Sequence, residues 1–458
     1  MLARERADFG VNPLYNLQPR ALCIALMCLY RQTKGLKIRQ FQNTPSSRNQ
    51  LMKTKITKLS AALTMLSVAQ FSPASETPAA SPDALLLTQV QIVDVDQQTI
   101  RRGAVLVKEG KIAAEYSAPP ANFKGQTLDL NNRWLIPGLI DMHVHAFGNR
   151  APHAKSDFAG TEKIAQRVLY AGVTGFVDLF GHEQGLINAR QQQRAGAFLG
   201  ADIYSSLSCL TAPKGHCTEY GLKTRTMSTP EEAITQVQSL AKAKPDVIKV
   251  VYQPSDDQPS IDKATFAAIV QQSKQLGIKT IVHLKTWQEV RDALEVGATA
   301  FTHIPGTPIP TGLADKIANA KMVVIPTMTV HTDLTDFLFD KTVIAPELLQ
   351  AMTTPAIIAG YQSEETMKKW GDREAKWRKQ DAQRTANLAA LVKAGVTVLV
   401  GTDAGNYGTI QGYSVHREIL KFTQAGMTNW QALAAATTRS GSFLGIDNTL
   451  QTGAQAAL

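Results

Sequence analysis

The chain has 458 residues, enough for one large α/β barrel or two ordinary domains, and a formal charge of +10. That charge suggests a polyanionic partner, but residues 1–75 hold 11 of the 48 Lys and Arg against 2 of the 38 Asp and Glu. The 37 basic and 36 acidic side chains left beyond residue 75 nearly cancel, which excludes a nucleic-acid-binding surface as the reading of the globular part.

The basic leader has an ordered composition. Lys53, Lys55 and Lys58 precede a mildly apolar run, Leu59 to Val68, too short to span a bilayer, and Ser72 to Ala80 then supplies small residues. Residues 52–80 therefore read as a signal peptide and linker, predicting a mature start within Ala74 to Ser81 and a periplasmic or secreted protein. Residues 1–51 read as a non-native upstream extension from a misassigned start. The apolar run Ala21 to Tyr30 is also too short to span, and no stable membrane span is expected. Of four cysteines, Cys23 and Cys28 lie in the leader, leaving Cys209 and Cys217 in a predicted loop. An oxidising compartment would let that pair close a small disulfide, and two free thiols remain the alternative.

Residues 84–134 read as the β-rich part of a small β-sandwich. Leu85 to Val95, Gly103 to Val107 and Lys111 to Ala114 are predicted strands, with Glu109-Gly110 as a hairpin turn. From Trp134 onward, apolar runs of strand length alternate with helical stretches, the pattern of βαβ units around a parallel sheet. Eight strands are predicted over residues 135–446: Leu135–Val144, Gly175–Leu179, Asp202–Leu207, Val247–Tyr252, Thr280–Leu284, Ala300–His303, Val323–Thr327 and Thr397–Thr402. Helices are expected over Glu162–Ala171, Glu231–Ala243, Lys263–Leu276 and Trp287–Val296, with a long polar helical insertion from Pro346 to Lys393. The pattern predicts a (β/α)8 TIM barrel, whose active site lies at the strand C-termini.

Ionisable residues sit at those strand ends. Asp141-Met142-His143-Val144-His145 closes the first strand, and i,i+2 alternation aims His143 and His145 to one side. Lys249 lies inside the apolar run Val247 to Tyr252, where an ammonium must be neutralised, paired or modified. His283 ends the fifth strand, His303 the sixth and Asp403 the eighth. Six such residues converging on one rim point to a metal site.

With these motifs in place, the sequence resembles the amidohydrolase superfamily. Ile136-Pro137-Gly138-Leu139-Ile140-Asp141-Met142-His143-Val144-His145, Lys249, His283, His303 and Gly401-Thr402-Asp403 carry the resemblance. Ala293 to Ala298, His416-Arg417-Glu418, Ala425 to Thr428 and Ala432 to Thr438 are similar to its imidazolonepropionase-like and Xaa-Pro dipeptidase (prolidase)-like branch. The resemblance implies two divalent metal ions, with zinc suited to the donor set and manganese, cobalt or iron able to occupy the same cage. His143, His145 and Asp403 would hold one, His283 and His303 the other, and Lys249, carboxylated by CO2, would bridge both. Asp403 would be the catalytic proton acceptor.

Among other polar residues, His216 and Tyr252 are candidate substrate contacts, Asp178 a buried partner of a neighbouring residue, and His182 a lining residue. His153 and His331 read as loop residues, and His416 as a packing residue. Lys285 and Thr302 depart from the branch's pattern. Residues 447–458 read as the start of a truncated C-terminal β-segment, predicting an open edge on the N-terminal sheet. The reading is an amide hydrolase acting on a small molecule, a dipeptide or N-acyl amino acid, and a homo-oligomer is compatible with it. A cyclic amide, imidazolone or lactone is the alternative substrate, and an inactive exported binding protein the alternative of another class.

Overall fold

The computed structural model describes residues 84–340 and 346–457; the leader, with its expected cleavage window and Cys23 and Cys28, lies outside them. It begins with a four-stranded sheet of β1 (Ala84–Asp94), β2 (Thr99–Lys108), β3 (Lys111–Tyr116) and β4 (Gln126–Leu135), in the order β3-β2-β1-β4. β2 and β3 form the expected hairpin: Glu109 and Gly110 have φ of +53° and +71°, as a tight turn with two left-handed residues needs. β1 pairs antiparallel to β2 and parallel to β4. Its buried Leu87, Val90 and Ile92 pack with Val105, Ile112, Leu130 and Leu450.

The open edge expected around β1 lies at its partner β4, which has no ladder on its outer side among the described residues. β1 is central, and the C-terminal residues meet the edge strand β3 instead: Ile112 N donates to Ala454 O (3.0 Å), and Gly453 N to Ile112 O (2.8 Å). Ala456 N then donates to Gly110 O, and Gly138 N to Ala457 O, each at 2.8 Å. The same short stretch thus touches both the sheet and the approach to the next strand.

An α/β fold with parallel sheets follows. β5 (Leu139–Val144), β6 (Val173–Asp178) and β7 (Asp202–Ser205) form one sheet. β8 (Cys209–Thr211), β9 (Arg225–Thr226), β10 (Ile248–Val251), β11 (Thr280–His283), β12 (Ala300–Thr302) and β13 (Val323–Ile325) form another, ordered β13-β12-β11-β10-β8-β9. Leu135 belongs to β4, because Pro137 and Gly138 separate it from β5. The predicted eighth strand makes an isolated bridge at Val398 rather than a ladder. It is nonetheless hydrogen-bonded on both sides: Val324 N donates to Thr397 O (3.0 Å), and Met142 N to Val400 O (2.8 Å). Gly401 is needed there, since a Cβ would stand 2.3 Å from Ile325 Cγ2 and 3.0 Å from His143 Cβ.

The helices start where local chemistry dictates. Thr286 and Glu289 form a capping box at the helix Trp287–Val296, and Asp262 caps Lys263–Gln275. The insertion is four helices, Pro346–Met352, Pro355–Gln362, Glu364–Trp370 and Glu374–Lys393. Among the described residues no helix is long and apolar enough to cross a membrane.

Candidate metal centre

The ends of β5 and β11, the interior of β10, and the turns just after β12 and after residue 402 deliver His143, His145, Lys249, His283, His303 and Asp403 to one cavity of about 660 Å³. Asp403 Oδ1 lies 3.2 Å from His143 Nε2 and 3.0 Å from His145 Nε2. The rings of His143 and His303 are 5.3 Å apart, and His303 Nε2 is 2.9 Å from His283 Nδ1. Ligand atoms of His143, His303 and Asp403 lie within 4.8 Å of one another. The compact triad therefore draws one histidine from each of the two expected groups, with His145 joined to it through Asp403 and His283 through His303.

The far sides of the His143, His303 and His145 rings are occupied. His143 Nδ1 meets Thr302 Oγ1 and His303 Nδ1 meets Thr327 Oγ1, both at 2.7 Å. His145 Nδ1 lies 3.0 Å from Phe180 O, and a carbonyl can only accept, so this nitrogen carries the proton. A neutral His145 then presents the bare Nε2 lone pair to the Asp403 carboxylate. Two acceptors at 3.0 Å repel unless a proton or a cation lies between them. Buried Asp403 Oδ1 and His283 Nε2 also make no well-formed hydrogen bond. Imidazole and carboxylate donors with unspent lone pairs converging on one point fit a divalent metal ion.

Backbone strain is concentrated here. His303, Asp403 and Thr327 have φ of +75°, +57° and +48°, the left-handed region, at a cost of about 1–3 kcal/mol each. Asp403 is pinned by donation from its N–H to His143 O (2.7 Å), and His303 by donation to Ile325 O (3.0 Å). Asp141 braces the same corner, accepting from His143 N, Thr402 N and Thr402 Oγ1.

Burial and charge tune the cluster. Burial pulls His143 down to about 3, with Lys249 adding to the effect, and lowers His283 and His303 well below the usual range. Burial opposes the ionisation of Asp403, but the charge and hydrogen bonds of the His143 and His145 rings, where they carry the intervening proton, more than offset it and hold the carboxyl well below its usual range, with His145 raised in return. Lys249 is pushed down to about 7 by burial, and no carboxylate among the described residues lies within ion-pair distance of it.

The remaining predicted residues separate. His216 lines the cavity, its ring 4.7 Å from His283 and its Nδ1 2.7 Å from Glu219. Tyr252 is not among the lining residues: its hydroxyl donates to Asp292 (2.9 Å) and its ring stacks on Phe266. Asp178 accepts from Ala146 N and Phe180 N. Lys285 is half exposed and paired with Asp256 at the cavity wall. His182 caps the helix Glu183–Arg194 and lines a second cavity beside this one, His416 bonds Ala171 O, and His153 pairs with Glu365. His331 is not a loop residue. It lies on the helix Met328–Thr335, lines the cavity 5.7 Å from the His303 ring, and its buried Nε2 has no partner. Arg384, from the insertion, also lines the cavity, and Cys209 and Cys217 are joined by a disulfide.

This fold and this cluster coincide with a family match. The model of the amidohydrolase family matches residues 134–458, and the chain belongs to that family. It is 35% identical over 96 residues to an adenine deaminase of Desulfatibacillum aliphaticivorans, covering 21% of this chain and 15% of that protein. It is 27% identical over 143 residues to a deacetylase of Agrobacterium fabrum, covering 31% and 34%. These matches span about a third or less of either relative's length. Among solved structures, a Xaa-Pro dipeptidase with bound methionine superposes with a TM-score of 0.65 at 17% identity, over 81% of this chain and 92% of that one. A putative prolidase from Bifidobacterium longum gives 0.61 at 23% identity, over 82% and 87%.

Proposed function

We propose that this protein is a metal-dependent hydrolase of amide-type C–N bonds in small molecules, with a dipeptide or N-acyl amino acid as substrate. The parallel strands and residues 397–402 form a (β/α)8 barrel in this reading, and the N-terminal sheet is the main part of a small sandwich. One observation carries it: His143, His303 and Asp403 offer ligand atoms within 4.8 Å of one another, with Asp403 Oδ1 left without a well-formed hydrogen bond.

His143, His145, His283, His303 and Asp403 would hold two divalent ions, with zinc favoured by the donor set. Lys249, carboxylated by CO2, would bridge them, exchanging a costly buried ammonium for an anionic oxygen donor. When bound, such ions polarise a scissile carbonyl and acidify water. The chain's own part is to orient and to move protons. Thr302, Thr327 and Phe180 fix the imidazole rings, and Asp403, held ionised, accepts the proton of the attacking water and returns it to the leaving amine. His216, at the wall beside His283, contacts substrate. Export to the periplasm or beyond belongs to the same proposal, and the disulfide supports an oxidising compartment.

Metal analysis of the purified protein with a dipeptide and N-acyl amino acid hydrolysis screen tests the reading. Lys249→Ala should lower metal content and abolish most hydrolysis, with partial rescue by a small carboxylic acid. Lys249→Arg should not recover, since a guanidinium cannot form a carbamate. Full metal content and normal turnover in Lys249→Ala would overturn the bridged two-ion site.

A further inference from the structure

Beside the metal-centre cavity lies a second chamber of about 560 Å³, a volume in the range of small-molecule sites. The two share His145, Phe180, Tyr220 and Asn406 as a common wall. Away from that wall most of the chamber's surface is hydrocarbon, from Phe147, Phe158, Leu186 and Leu222, with Arg150, His182 and Glu219 also among its lining residues. The aromatic residues run on from the cluster itself, His145 stacking on Phe147 (6.2 Å) and Phe147 meeting Phe158 edge-on (5.7 Å). Across the wall, Phe180 packs against Tyr220 at 6.0 Å.

Two features show that the chamber is built to receive something apolar. Phe158 is 65% exposed, a large ring left in water when apolar surface normally hides. The loop that carries it is nonetheless well defined. Asn149 and Asp157 exchange backbone hydrogen bonds at 3.1 and 2.9 Å, and Gly160 N donates to Phe147 O at 3.0 Å. The buried acid Asp178 spends its oxygens on Ala146 N and Phe180 N, so it offers no free acceptor to a guest. The cations Lys285 and Arg384 line the metal-centre cavity and not the chamber.

We infer that this chamber binds a bulky apolar arm of the substrate, a medium-chain acyl or aryl group, while the scissile amide lies at the metal centre. The inference rests on the amide-hydrolase reading for which bond is cut, but the binding of the apolar arm stands apart from it. It makes the enzyme selective for hydrophobic amides over acetyl or glycyl ones.

The zinc-loaded protein is tested in two arms. In the first, calorimetry compares octanoate with acetate. Octanoate should bind at least about tenfold more tightly, since each buried methylene is worth up to about fourfold. Phe158→Asp, a change at an exposed position, should bring that ratio close to one. In the second, kcat/KM is measured for N-acetyl, N-butyryl, N-octanoyl and N-benzoyl amino acids, and should rise with chain length until the chamber is full. Equal binding of octanoate and acetate, or a preference untouched by Phe158→Asp, would overturn the chamber's role even if short amides are cleaved. A strong octanoate preference with no amide cleaved would uphold the chamber and defeat the amide reading.

Discussion

The Thr302 hydroxyl stands 2.7 Å from Nδ1 of His143, from 159 positions along the chain. It engages the ring nitrogen remote from Asp403, so Nε2 alone faces the cluster. Thr302→Val keeps the shape and removes that hydroxyl. Zinc affinity, read by competition with a chelator of known strength, should fall about 10- to 100-fold. Thr302→Ser should restore it, and unchanged affinity in the valine variant would deny Thr302 this role.

Asp403 is expected to divide metal binding from turnover. Asp403→Asn keeps an oxygen donor but cannot accept the proton of the attacking water. Zinc content should fall only in part, while kcat drops by about 10²- to 10⁴-fold. Parallel metal analysis and steady-state kinetics check this, and equal losses in both would assign Asp403 to metal binding alone.

Glu418 is fully buried and accepts from Met328 N (2.8 Å) and Thr329 N (2.7 Å), at the start of the helix that follows Thr327. Burial pushes its carboxyl from 4.5 up to about 8. A folded value above the unfolded one means its stabilisation is complete below pH 4.5 and is lost as pH rises through about 8. Melting temperature should therefore carry a downward slope between pH 5 and about 8 that Glu418→Gln flattens. Glu418→Ala should cost about 1–3 kcal/mol for each amide left unsatisfied. An identical pH slope in the glutamine variant would place its origin elsewhere.

The Cys209–Cys217 disulfide ties the loop of His216 to β8, where Cys209 is the register neighbour of Lys249. Dithiothreitol should lower the melting temperature of the wild type, by an amount corresponding to about 2–3 kcal/mol for so short a loop. It should also raise KM, because the His216 loop forms one wall of the cavity. The double variant Cys209→Ser, Cys217→Ser should be insensitive to reductant, and scanning calorimetry with and without it provides the comparison.

The parallel strands were readable because they are buried on both faces and so appear as short apolar runs, several of them interrupted or closed by an ionisable residue. Lys249 inside Val247 to Tyr252 was the clearest of these. Tyr252 illustrates the cost of reading proximity without parity: three positions from Lys249 along a strand, it faces the opposite side, and period-two alternation alone would have turned it toward Phe266. β8 and β9, at three and two residues, carry too little pattern to register. His331 was missed because Met328 to Thr335 lacks a helical apolar period; only its closeness to the His303 cluster, a tertiary fact, brings it into the cavity. Arg384 comes from a distant polar helix and left no local trace of its position.

Residues 453–457 act as a strap. They hold Gly110 and Ile112 of the N-terminal hairpin with one set of bonds, and Gly138, at the root of β5, with the last. The tip of that strand carries His143 and His145. Peeling the hairpin away must therefore slacken the root of the strand that presents the histidines. Heat should consequently release the bound metal and melt the N-terminal sheet in one cooperative event, rather than shedding the sheet first as an ornament.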